Sequence, residues 1–196
     1  DSKHIIYVTK QKNGTAYTTS TNTDIFVYDI ETGKTKNITE GMQGYDMSPN
    51  ISPDGSKVAW LSMERDGYEA DKNRIFILDR KSDLKIDVTA SYDESVESIR
   101  WSNDGKFIYF TSPINGTLQL FALDVTNSMM KVDEGGKKRN PIRQITSGDF
   151  DITGVVGESN GLLIVTRTDM NHAAEIFKVD IAKGDITAIT TTNQAK

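Results

Sequence analysis

The chain repeats itself, and that repeat limits its folds more than any other feature. One unit runs from Asn50 to Asp79. It holds a turn signal at Ser52-Pro53-Asp54-Gly55, an apolar run from Val58 to Leu61, a charged excursion from Arg65 to Arg74, and a second apolar run from Ile75 into Asp79. Four segments share the shape of that second run: Ile25-Phe26-Val27-Tyr28-Asp29, Ile75-Phe76-Ile77-Leu78-Asp79, Leu120-Phe121-Ala122-Leu123-Asp124 and Ile176-Phe177-Lys178-Val179-Asp180. Their closing aspartates recur at intervals of roughly 45–55 residues. Short polar turns follow three of them, whereas the third runs into a long excursion from Thr126 to Asn140, rich in Gly and Lys, that reads as mobile. Each unit closes on an apolar-Thr pair: Ile38-Thr39, Val88-Thr89, Ile145-Thr146 and Ile189-Thr190. New units open at Asp54-Gly55, Asp104-Gly105 and Asn160-Gly161.

The apolar runs are short, rich in β-branched and aromatic residues, and bounded by Gly, Asp, Asn and Pro, which is the signature of strands. No stretch keeps a 3.6-residue period, so almost no helix is expected. Asp-Gly and Asn-Gly supply the positive φ of a tight hairpin turn. Four antiparallel strands recurring with this period define a propeller blade. The predicted fold is all-β, a β-propeller region of about four blades at 1–44, 45–93, 94–150 and 151–196. With the strands of a blade lettered A to D, the second is predicted as 46–51, 57–63, 74–79 and 84–89. The third is 95–101, 107–112, 118–124 and 142–146, and the fourth 152–156, 162–168, 175–181 and 186–190. The first blade begins at strand B, residues 4–9, without a strand A. An open arc cut from a seven- or eight-bladed ring is therefore expected, with a complete four-bladed domain as the alternative. Its open edges would allow pairing with a second copy.

Composition narrows the function classes. A net charge of −5 argues against a nucleic-acid partner. No apolar run approaches the roughly 20 residues of a membrane helix, so no membrane partner is expected. Cys is absent and only His4 and His172 are present, which removes thiol chemistry and a multi-histidine metal site, and no cofactor is expected. The chain opens on Asp1 with neither an initiator Met nor a signal peptide, as a trimmed product would.

Alternating strand direction sorts the loops onto two faces. The A–B and C–D turns share one. The B–C loops and the links between blades share the other, which is acidic and polar and carries Tyr17, Tyr45, Tyr68, Tyr92 and Phe150. Loops on a rigid scaffold are where function concentrates. The most functional-looking is the B–C loop of the second blade, where Arg65, Tyr68, Glu69, Asp71 and Arg74 form the candidate substrate- or partner-facing set. Closely spaced carboxylates and arginines can bind an amine or a partner domain, and they can also pair among themselves to fix a long loop. Gly157-Glu158-Ser159-Asn160-Gly161 matches the G-x-S-x-G nucleophile elbow, but that motif needs a strand-to-helix turn. Here Ser159 falls in a strand-to-strand hairpin, with His172 expected in a loop on the opposite face, and no catalytic residue is assigned. The Asp ending each strand C is expected to set the following turn, and Trp60 and Trp101 are expected in the core.

Ser52-Pro53-Asp54-Gly55-Ser56-Lys57-Val58-Ala59-Trp60 and Trp101-Ser102-Asn103-Asp104-Gly105-Lys106 resemble the repeat shared by TolB-type propellers and the N-terminal propellers of the prolyl oligopeptidase family of serine peptidases. The loop from Met63 to Arg74 resembles that of dipeptidyl-peptidase 5 and acylaminoacyl-peptidase-like members. The resemblance implies a propeller that caps an α/β-hydrolase domain bearing a Ser-Asp-His triad and restricts access to short peptides. This chain would be a non-catalytic portion, and its partners would be the short peptide substrate of the parent enzyme and the missing blades and hydrolase domain of the same polypeptide. The resemblance leans to a periplasmic or secreted bacterial setting. A TolB-like interaction propeller with no enzymatic parent is the alternative.

Overall fold

A computed structural model describes residues 3–129 and 141–192. Most of the expectation for the Gly- and Lys-rich excursion lies outside these residues. The chain divides into two compact units, 1–93 and 94–196, and each holds two antiparallel sheets.

In the first unit, β1 (His4–Thr9), β2 (Asp24–Asp29) and β3 (Thr35–Asn37) form a sheet of three strands among the described residues, matching strands B to D. A four-stranded sheet follows, of β4 (Asp46–Ile51), β5 (Lys57–Ser62), β6 (Arg74–Asp79) and β7 (Leu84–Asp87), each paired with its chain neighbour. In the second unit, β8 (Ser98–Trp101), β9 (Phe107–Ile114), β10 (Thr117–Asp124) and β11 (Ile142–Gln144) form one sheet. The other comprises β12 (Asp151–Ser159), β13 (Leu162–Asp169), β14 (His172–Asp180) and β15 (Ile186–Ala188). These meandering four-stranded sheets are the units of a β-propeller.

The core of each unit lies between its two sheets. In the first, Ile25, Ile38, Val58, Trp60 and Leu78 pack together, joined by the half-buried Ile6, Val27 and Phe76. In the second, Leu120, Ile145, Leu163, Val165 and Val179 occupy matching register positions. Trp60 and Trp101 are both buried, as expected.

The repeated polar residues have local reasons. The aspartate closing each third strand turns the chain: Asp29 accepts the Thr32 N–H at 2.7 Å, Asp79 the Ser82 N–H at 2.9 Å, Asp124 the Asn127 N–H at 2.9 Å and Asp180 the Lys183 N–H at 2.9 Å. Each threonine of the closing pair accepts the N–H of the residue four before the closing aspartate: Ile25 to Thr39 at 2.9 Å, Ile75 to Thr89 at 2.8 Å, Leu120 to Thr146 at 2.9 Å and Ile176 to Thr190 at 2.9 Å. This bond takes over where the ladder stops, so β7 and β15 end two residues before the predicted D strands. At Ile25, Ile75 and Leu120 it satisfies a backbone donor that would otherwise be buried unpaired.

The Asp-Gly turns differ from the simple tight hairpin expected. Ser52 Oγ accepts the Lys57 N–H at 2.9 Å and donates to Asp54 Oδ1 at 2.6 Å, and Ser102 repeats this with Phe107 and Asp104 at 2.9 and 2.7 Å. The serine thus builds a wider turn. Two-residue turns occur instead at Asn115-Gly116 and Asn160-Gly161, where all four residues have positive φ. Strand β8 starts three residues later than predicted. Two single-turn helices also appear, α1 (Thr15–Thr19) and α2 (Val125–Met129). Both are too short to show a helical period.

Candidate functional site

The loop 63–73 connects β5 to β6, and the loop 10–23, containing α1, connects β1 to β2. Both lie on the same side of the first unit. Asp66 joins them: its Oδ1 accepts from Ser20 Oγ at 2.7 Å, Thr21 N at 2.8 Å and Asn22 N at 3.1 Å. Gly67 N donates back to Thr21 Oγ1 at 2.9 Å. A carboxylate holding three donors favours its charged form, and the Ser20 hydroxyl is the largest influence holding Asp66 below the usual range.

Within loop 63–73, Arg65 and Asp71 close the base. The Arg65 N–H reaches Asp71 Oδ2 at 2.9 Å, its Nε reaches Oδ1 at 3.0 Å, and its terminal nitrogen also contacts Oδ1. The guanidinium lies 3.9 Å from the centre of the Tyr68 ring, a cation–π contact. The Asp71 side chain is 8% exposed and that of Arg65 57%, so the carboxylate is the fixed partner and the stacked Arg65–Tyr68 pair is the surface. The Arg65 hydrogen bond lowers the Asp71 pKa.

Of the five predicted site residues, the structure brings Arg65, Tyr68 and Asp71 together. Arg74 is separate. It starts β6, lies 3.4 Å from Asp87 and 3.9 Å from Glu64, and spans the Phe76 ring at 5.3 Å. Glu69 lines a cleft of about 540 Å³ with Lys10, Tyr17, Thr21, Thr23, Tyr45 and Met63. Lys10 is tied there to Ser20 O at 2.6 Å and Tyr17 O at 3.3 Å. Gly44 permits the close approach behind this cleft: a Cβ at that position would lie 1.9 Å from the Met63 carbonyl oxygen. Sequence reasoning did not assign Asp66 and Lys10, and named Tyr17 only among the aromatics of the loop face. Asp66 reaches partners 44 to 46 residues away, and nothing local marks it.

Ser159 ends β12 and pairs with Leu162 across the Asn160-Gly161 turn, so it lies in a strand-to-strand hairpin, as expected. Its neighbour Glu158 accepts from Asn103 N at 2.7 Å and Tyr109 Oη at 3.2 Å. His172 corrects its predicted loop position. It opens β14 directly after the tight Met170-Asn171 turn, with Nδ1 2.8 Å from Asp169 Oδ1. A β-hairpin replaces the expected loop because the ladder continues to the Asp169–His172 pair. No group of three or more metal-ligating side chains occurs among the described residues.

The fold and the repeated turns define a propeller made of PD40-type repeats. The family model for the TolB beta propeller domain matches residues 1–196, and the chain belongs to that family. It is 35% identical over 195 residues to dipeptidyl-peptidase 5 of Porphyromonas gingivalis and 41% identical over 195 residues to that of Porphyromonas endodontalis. Those matches cover the whole chain but 27% and 26% of the relatives, so the chain spans about a quarter of their length. Among solved structures, an acylaminoacyl peptidase shares the fold with a TM-score of 0.69 at 18% identity, over 96% of this chain and 26% of that one. TolB from Acinetobacter baumannii gives a TM-score of 0.58 at 19% identity, over 98% and 42%.

Proposed function

We propose that the chain is the non-catalytic propeller portion of a serine exopeptidase of the dipeptidyl-peptidase 5 type, and that its loop rim filters and orients short peptides for a hydrolase domain elsewhere in the polypeptide. The observation that carries this reading is the Asp66 clamp. It turns two long loops into one braced rim, with Arg65, Tyr68 and Glu69 on its surface. A filter must hold its shape, because ordering a loose loop on each encounter costs free energy. The relatives called dipeptidyl-peptidase 5 give the reading its substrate class. Access is limited by size, and the stacked Arg65–Tyr68 pair orients what enters.

The test compares the isolated chain with the complete polypeptide on a dipeptidyl fluorogenic amide. Turnover by the polypeptide and none by the chain supports the proposal. Turnover by the chain that disappears in Ser159→Ala sinks it. A polypeptide without peptidase activity transfers support to a TolB-like interaction propeller.

A further inference from the structure

The first unit holds a cleft of about 440 Å³ between its two sheets, on the side opposite the 63–73 loop. We propose that this cleft binds a small carboxylate carrying an apolar body. The inference is independent of the peptidase reading.

The two units contain the same inter-sheet space built from different residues. In the second unit Phe107, Ile181 and Ile186 pack against the core around Ile145, Leu163 and Val179. Matching the strands by their closing aspartates puts His4 in place of Phe107, Arg80 in place of Ile181 and Lys85 in place of Ile186. The deeper residues keep their apolar character as Val27, Ile38, Val58 and Leu78. Two of these positions, His4 and Arg80, line the cleft, so a titratable and a cationic side chain stand there where the second unit has apolar ones, over an apolar floor. For packing alone this exchange is unfavourable, since it opens a groove above the core.

The rim chemistry selects an anion. Lys34, Lys36 and Arg80 line the mouth. The two carboxylates beside them are engaged: Asp83 by Lys36 at 2.7 Å, and Asp29 by the Thr32 N–H at 2.7 Å and by His4 at 3.5 Å. Arg80 is oriented by one bond to the Gly55 carbonyl at 2.8 Å. Among the described residues no carboxylate lies within ion-pair distance of Arg80 or Lys34. An arginine held by one nitrogen still presents donors suited to a carboxylate. The volume falls within the roughly 300–1,000 Å³ of small-molecule sites, and an apolar floor with a few convergent polar groups is their usual make-up.

The carboxylate could come from a free short-chain acid or from the C-terminus of a peptide. Amide spectra of the ¹⁵N-labelled chain at pH 7 are therefore titrated with hexanoate, 1-hexanol, N-acetylleucine and N-acetylleucine amide. Saturable shifts at Val27, Lys36, Val58 and Leu78 are expected with the two acids, with affinity about tenfold above their neutral counterparts. Tighter hexanoate identifies a free acid, and tighter N-acetylleucine a peptide terminus. Arg80→Ile, which supplies the apolar residue of the second unit, is expected to weaken acid binding about tenfold while the spectrum stays folded. Lys34→Gln, on an exposed turn, is expected to weaken it less. Neutral compounds that bind as tightly as the acids, absence of saturable shifts with either acid, or unchanged affinity in Arg80→Ile would each overturn the proposal.

Discussion

Asp66 Oδ1 accepts a hydrogen bond from Ser20 Oγ at 2.7 Å, across 46 residues of sequence, and so ties loop 63–73 to loop 10–23. Removing that carboxylate frees three donors at once. Asp66→Ala is expected to leave the sheets intact and release both loops together. Limited trypsin digestion checks this: cleavage after Arg65 and Lys72 should speed up several-fold, with the melting temperature barely changed. An unchanged digestion rate would mean that the clamp does not hold the loops.

Asp46 is fully buried, and its pKa is pushed up to about 6, chiefly by burial. Trp60 Nε1 donates to its Oδ1 at 3.0 Å, but Oδ2 has no partner; the nearby Ser62 and Thr39 hydroxyls donate to Met63 O and Asp24 Oδ1. A carboxyl whose folded pKa lies above its unfolded value near 3.8 favours the folded state while protonated. Its contribution is full below about pH 4, falls between pH 4 and 6, and is gone above that. Asp46→Asn should therefore raise stability at pH 7, by up to about 3 kcal/mol if the amide fits, and flatten the change between pH 4 and 7. Urea titrations across that range give the answer. A variant that keeps the wild-type slope would exclude Asp46 as its source.

Carboxylates in the turns act in the opposite sense. Asp54, Asp79 and Asp104 have pKa values lowered by hydroxyl and backbone donors. They stabilise the fold above the unfolded pKa, and that support is lost as the pH falls below about 4. Stability is thus expected to fall on strong acidification even though Asp46 becomes neutral, and Asp54→Asn should weaken that loss.

Thr89 accepts the Ile75 N–H at 2.8 Å in a fully buried setting. Thr89→Val keeps the shape and leaves the donor unpaired, at a cost of about 1–3 kcal/mol. Thr89→Ser should cost much less. Equal losses in both variants would assign the threonine to packing.

Much of this was legible in the sequence because it is local. Asp79 sets a turn three residues away, and Thr89 follows Asp79 at the same offset that Thr39 and Thr190 keep from Asp29 and Asp180, so counting along the chain finds both; only the long excursion after Asp124 breaks the count. The three strands of the first sheet among the described residues were readable for the same reason. The site was less so. Arg65 and Asp71 are six residues apart and their pairing could be anticipated, whereas the loop-to-loop bonds of Asp66 and the shared cleft of Glu69, Lys10 and Tyr45 depend on two sheets packing. His172 was misplaced because its polar surroundings resemble a loop, although the ladder continues through Asp169 and His172.

The filtering role is tested most directly by length selectivity. In the complete polypeptide, kcat/KM is measured for a dipeptidyl amide and for a peptide of about twenty residues carrying the same N-terminal pair, in the wild type and in Asp66→Ala. A braced rim that excludes long peptides predicts a strong preference for the short substrate, and a several-fold loss of that preference in the variant through faster cleavage of the long one. An identical preference in both proteins, with the loops shown by digestion to be released, would contradict it.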